Sequence, residues 1–226
     1  MKRRTRVFPH ELRTMADRRR GTSTPVTTMK TLLLTALVAS LAVALPSQEK
    51  TKKLEITKEM QQSIDDWKKT AAQWAADKAV VAAVVAQNAK GPIEGMDNKK
   101  WKTLRRRDAE VEQFTTNEAA KALAAKVKAS NGVVGEAFVC AAKSEKVAFL
   151  EKTTSYLHAG AAKFDVPFGK LQVWQSEPSF DESTQTHSIQ IAVPVLDPKD
   201  EKHAIGVLVI GLDGTALANA KPAPAK

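Results

Sequence analysis

Apolar residues recur at alternating spacings of four and three through Met60, Ile64, Trp67, Ala71, Trp74, Val81 and Val85, with Lys78 the single break. That period predicts one long helix from near Thr57, its stripe packed on a core, and Gly91-Pro92 stops it. The heptad-like spacing also allows a coiled-coil partner, although alanines occupy several seam positions. Trp101 and Leu104 precede Arg105-Arg106-Arg107, read as the solvated face of a short helix paired by Asp108, Glu110 and Glu112. Thr115-Thr116-Asn117-Glu118 reads as a capping box for an alanine-rich helix over 116–129, which Asn131-Gly132 ends.

The period then changes to that of strands. Residues 133–142 and 147–150 read as two strands about a polar turn at Lys143-Ser144-Glu145, and 171–175 as a third. The fourth has the clearest alternation: Ile189, Ile191, Val193 and Val195 face one way, with Ser188, Gln190 and Ala192 opposite. A turn at 197–201 leads to a fifth, 204–212, apolar on both faces and therefore central. Residues 152–169 and 177–183 read as irregular. Helices first and about five strands after them predict an α+β fold, with helices packed on an antiparallel sheet.

Charge changes this picture less than the totals suggest. The 35 Lys+Arg and 25 Asp+Glu give a formal net charge of +10. Residues 1–28 hold eight basic and two acidic residues, so most of the excess sits in a short leader and the case for nucleic acid goes with it. From Met29 the chain reads Met-Lys-Thr, a charge-free run from Leu32 to Leu45, and a small-residue site at Ala42-Val43-Ala44. That is the layout of a signal peptide over 29–44. The run is shorter than the roughly 20 residues of a membrane-spanning helix, so no stable membrane span is expected. Residues 1–28 then read as a basic extension, misassigned upstream of the start or disordered, 45–56 as a flexible lead and 214–226 as a disordered tail. The expected location is periplasmic or secreted.

Chemistry-bearing patterns are few. Cys140 is the one cysteine and lies in the apolar run Ala137–Ala141, where it reads as a small buried hydrophobe. The four histidines (His10, His158, His187, His203) have no metal-ligand spacing, and no nucleophile elbow or phosphate-cradling loop is present. The expectation is a protein that is not an enzyme and uses no cofactor and no metal.

Three stretches carry a resemblance: Gly135-Glu136-Ala137-Phe138-Val139-Cys140; Ser179-Phe180-Asp181-Glu182-Ser183-Thr184; and Val193-Pro194-Val195-Leu196-Asp197 followed by Ile205 to Leu212. With the element order, they make residues 57–213 resemble the extracytoplasmic PAS-like sensor domains called Cache or PDC domains. The resemblance implies a five-stranded antiparallel PAS-like sheet under a long N-terminal helix, with a pocket for a small-molecule ligand; the amino-acid-binding signature of double Cache receptors is not evident, so it carries over no ligand identity, and a carboxylate or amino acid is the expected class. No membrane span follows residue 212, so it implies a free-standing, secreted form acting alone or with a partner receptor. The long segment 152–169 favours a function over a plain connection. Candidate ligand-binding residues are Tyr156, Trp174 and Phe180 as walls, with His158, Asp181 and Thr186 as polar groups. Each also has a plainer reading: Tyr156 a half-buried packer, His158 exposed or a cap, Trp174 a cover for the sheet, Asp181 a partner of its own turn. The alternative function is a structural or protein-interaction module, a homodimer formed through the long helix.

Overall fold

In the computed structural model, which describes residues 54–181 and 186–219, the N-terminal stripe is carried by two helices where one was expected. Helix α1 (Lys58–Ala75) starts at Thr57, whose hydroxyl accepts from the Met60 amide at 3.2 Å. Helix α2 (Lys78–Lys90) starts at Asp77, whose carboxylate accepts from the Ala79 amide at 2.9 Å. A side chain that satisfies a first-turn amide restarts the helix and resets its phase. Helix α2 therefore buries Val80 and Val84, while Val85 of the expected stripe is 48% exposed. Gly91, at φ 78°, ends α2 as expected.

Two further expectations in the helical half are corrected. Arg105 to Arg107 lie in the turn between α3 (Asn98–Thr103) and α4 (Ala109–Thr116), not on a helix face. Arg106 pairs with Glu151 across the fold, not with the acids beside it in sequence. The Thr115 capping box does not form: Thr115 and Thr116 donate to the Glu112 carbonyl inside α4. Asn117 instead caps α5 (Glu118–Ala129), accepting from the Ala120 amide at 2.9 Å while its Nδ2 donates to the Val147 carbonyl at 2.8 Å.

Among the described residues the sheet has six strands, all paired antiparallel: β1 (Val134–Ala141), β2 (Lys146–Phe149), β3 (Trp174–Gln175), β4 (Ser179–Asp181), β5 (Thr186–Asp197) and β6 (Asp200–Asp213). The path is β2-β1-β6-β5-β3, with β4 also on β5. Strand β4 is the addition, in the stretch expected to be a loop. The expected irregular segment holds a helix, α6 (Ala162–Lys170), with Pro167 inside it. Its end at Leu171, in the left-handed region at φ 56°, shortens the third strand to two residues. Pro194 stands on β5 beyond the reach of β3, which pairs only with 191 and 192; an edge is where a proline costs a ladder least. Helix α7 (Gly214–Asn219) occupies the start of the expected tail, and Leu54 and Ile56 of the expected flexible lead pack on the core. The readings of residues 1–53 and 220–226 lie outside the described residues.

Alternation along the strands divides the interior in two. Ile189, Ile191, Val193 and Val195 of β5 join Leu208, Ile210 and Leu212 of β6 under α1, α2 and α5. Burying each such side chain contributes about 1.5–3 kcal/mol. Gly206 permits this closeness, since a Cβ there would stand 2.4 Å from the Cys140 carbonyl oxygen and 2.9 Å from Val84. On the opposite face Phe138, Cys140, Ala192, Val207 and Val209 meet Trp101, Phe114, Tyr156 and Phe164. Strand β6 is central and apolar on both faces, as the sequence indicated.

Cys140 is buried in that second cluster, and burial pushes its thiol up to about 12. A protonated, enclosed thiol is a poor nucleophile. Labelling by a maleimide in the native state should be slow and should become fast in denaturant; rapid native labelling would contradict the burial.

Candidate functional site

The second face of the sheet is apolar only along part of its length. Beyond Phe138 on β1 comes Glu136, beyond Ala192 on β5 come Gln190 and Ser188, and beyond Val209 on β6 comes Gly211. Register sets Gly211 between Glu136 and Gln190. A Cβ at Gly211 would stand 3.1 Å from the Glu136 Cβ and 3.4 Å from the Ser188 hydroxyl, so the glycine leaves this polar floor its room.

The cover is the segment from Thr153 to Ala161 together with α6. Asn98 of α3 pins it: Oδ1 accepts from the Tyr156 and Leu157 amides at 2.7 and 2.8 Å, and Nδ2 donates to the Leu157 carbonyl at 2.9 Å. Trp101 adds an Nε1–H bond to the Thr153 carbonyl at 2.9 Å. Floor and cover border a partly open cavity of about 500 Å³ whose polar side chains include Asn98, Glu136, His158, Lys163 and Gln190. Such a volume suits a small organic ligand.

The polar groups are arranged in series. Lys163 Nζ donates to Gln190 Oε1 at 3.1 Å, and Gln190 Nε2 donates to Glu136 Oε2 at 3.1 Å. His158 is stacked on Phe138 with ring centroids 5.0 Å apart, and its backbone amide donates to Ser144. Its Nε2 is buried without a hydrogen-bond partner among the described residues. Burial, with Lys146 and Lys163 nearby, pushes its pKa down to about 3, so the ring is neutral at physiological pH. Lys146, at the start of β2, is 0% exposed, and its Nζ lies 3.1 Å from the centroid of the Phe138 ring. That ammonium has no hydrogen-bond partner among the described residues, and burial above all pushes its pKa down to about 7. A second cavity of about 560 Å³ adjoins the first, sharing Glu136, Thr153 and Thr154 and reaching Ser188 and Asp213.

Of the six residues singled out in the sequence, His158 lines the first cavity and Thr186 the second. Tyr156 is in the core, stacked on Trp101 at 5.2 Å, with its hydroxyl accepting from the Ile93 amide at 2.9 Å. Trp174 is half-buried against the same cluster from the edge strand β3. Phe180 sits on β4 against the ring of His187, 5.2 Å between centroids. Asp181 closes β4, and its side chain is outside the described residues. The structure thus gathers His158 with Glu136, Lys163 and Gln190, three residues not singled out. For Glu136 and Gln190 the signal was present: both fall on the alternation that faces away from the Ile189–Val195 stripe. Lys146 gave none, because it follows Lys143-Ser144-Glu145 and reads as one more turn charge.

Set beside solved structures, the chain is similar to the sensor domain of the V. cholerae histidine kinase DctB at 14% identity and a TM-score of 0.46, over 71% of this chain and 53% of that one. The ligand-binding domain of the Pseudomonas aeruginosa PAO1 amino acid chemoreceptor PctC, in complex with GABA, matches at 13% identity and a TM-score of 0.37, over 70% and 64%. The E. coli DcuS sensor domain matches at 16% identity and 0.32, over 67% and 99%. The likeness is to sensor domains. The chain spans about half of the DctB domain's length and under two thirds of the PctC domain's. No protein-family model matches the chain, and the comparison with curated proteins gave no match. No helix among the described residues is long and apolar enough to cross a membrane, and no cluster of three metal-ligating side chains occurs among them.

Proposed function

We propose that this protein is a non-catalytic sensor domain that binds a small molecule outside the cytoplasm, alone or with a partner receptor, and that the cavity beneath residues 153–161 is its ligand site. The observation that carries the reading is the row Lys163–Gln190–Glu136 on the cavity wall beside a neutral His158. Lys163 offers charge to a carboxylate and Glu136 to an amine, so a carboxylate or an amino acid suits the site. Export rests on the signal-peptide reading of residues 29–44, which lie outside the described residues. The dimer alternative loses its proposed face, since Met60, Ile64, Ala71 and Trp74 of α1 are buried against the protein's own sheet.

Titration calorimetry against a panel of carboxylates and amino acids tests the reading. Lys163→Gln should weaken binding of a carboxylate, and Glu136→Gln binding of an amino acid through its amine, by about tenfold to a hundredfold, the worth of roughly 1–3 kcal/mol for a charged hydrogen bond. Changing Arg105, Arg106 and Arg107 to Gln should leave affinity unchanged. Binding indifferent to both cavity variants would place the site elsewhere.

A further inference from the structure

We propose that the site takes up an anionic ligand and a proton together, the ligand in the cavity and the proton on Lys146 behind its Phe138 wall. This rests on the cavity being the ligand site. Phe138 lines the cavity, and the Lys146 ammonium lies against the ring of that same residue. A wholly buried cation with no hydrogen-bond acceptor is held in its charged form only by what surrounds it.

The surroundings supply little. From β1, Cys140 faces Lys146 in register, its thiol kept protonated by burial, and Glu136 acts from further along the strand. The Glu136 carboxylate is already bonded by Gln190. From α6, Lys163 repels, and from the cover His158 is neutral. The one acid adjacent in sequence, Glu145, is directed elsewhere, toward Gln87 of α2 at 3.5 Å. The aromatic faces of Phe138 and Phe149, the latter at 5.8 Å, give partial compensation. What the arrangement lacks is one negative charge, and the cavity that Phe138 lines has room for it. An anion there favours the protonated lysine. By reciprocity the protonated lysine favours the anion, and loss of its proton weakens binding by the same factor.

The probes are succinate, acetate and L-glutamate, added to the full-length protein. Calorimetry in two buffers of different ionisation heat, at about pH 7.5 where an intermediate Lys146 is part-charged, reads proton uptake directly. The expected result is uptake of a fraction of a proton per bound anion, affinity falling about tenfold as the pH is raised through Lys146's range, and neither effect in Lys146→Met. NMR of the lysine Nζ in the unsubstituted protein gives a second measurement, independent of how that variant folds: the Lys146 signal should titrate to higher pH when anion is present. Binding without proton uptake, uptake that persists in Lys146→Met, or a Lys146 signal that the anion does not move each overturns this inference and leaves the ligand site standing. Failure of all three anions to bind overturns both.

Discussion

Lys146→Met should make the ligand-free protein more stable at pH 7, by about 1–4 kcal/mol, because an apolar side chain replaces a buried cation that has no hydrogen-bond partner among the described residues. The pH dependence identifies the cause. Burial lowers Lys146 from 10.5 to about 7, so between those values the unfolded chain holds a proton that the folded chain has released. Stability then rises with pH from 7 upward, by about 1.4 kcal/mol per unit, and the penalty is fully present below 7. Cys140 acts in the opposite sense: its thiol is raised from 9.0 to about 12, so its contribution is lost as pH climbs above 9. The two nearly cancel from there to 10.5, which confines the net rise to pH 7–9. His158, lowered from 6.5 to about 3, takes stability away as pH falls from 6.5 toward 3. Denaturant melts from pH 4 to 9 should show both slopes in the unsubstituted protein. In Lys146→Met the acid slope should remain and the rise between 7 and 9 should vanish. A variant less stable at pH 7 with an unchanged profile would refute this account.

Trp101→Ala should cost about 3–5 kcal/mol, the range for deleting a fully buried large aromatic side chain. The indole is 0% exposed and meets Tyr156, Phe149 and Phe114 with centroids at 5.2, 5.9 and 6.2 Å. It also ties the cavity cover to α3 through Thr153. Trp101→Phe separates the two roles, keeping an aromatic ring and losing the hydrogen bond. Its cost should be nearer 1–2 kcal/mol. Amide exchange at residues 153–155 should accelerate in it more than exchange in β5 or β6, and an even change across the protein would show that Trp101 serves packing alone.

The parts of the fold legible in the sequence were those with an uninterrupted period. Strands β5 and β6 declare themselves because Ile189 to Val195 alternate and residues 204–212 are apolar throughout. The break between α1 and α2 was hidden because Asp77 resembles any surface acid until its carboxylate is seen on the Ala79 amide. Helix α6 was hidden by Pro167 and Gly169, which signal irregular chain, although α6 runs through both. Around the cavity, the sequence singled out His158 but not Glu136, Lys163 or Gln190, although strand alternation marked the side on which Glu136 and Gln190 fall. Aromatic residues near a long segment suggest cavity walls, but which way a side chain faces follows from register with distant strands. Tyr156 faces Trp101 and the core for that reason, while Glu136 and Gln190 meet only across Gly211 of β6.

The strand order has a consequence for how the chain reaches its native state. Strand β6 lies between β1 and β5, pairing with β5 along most of its length and with β1 over residues 206–212. Every residue up to 199 can therefore be synthesised, and handed across a membrane if the chain is exported, before the strand that unites the sheet exists. Until then the inner edges of β1 and β5 are unpaired templates and both core clusters lack their centre. Closure joins segments more than sixty residues apart, such as Ala137 and Ile210, and pairings of that span form late and slowly. Acquisition of native structure is in this sense vectorially postponed, and the incomplete polypeptide is the species most in need of protection from aggregation.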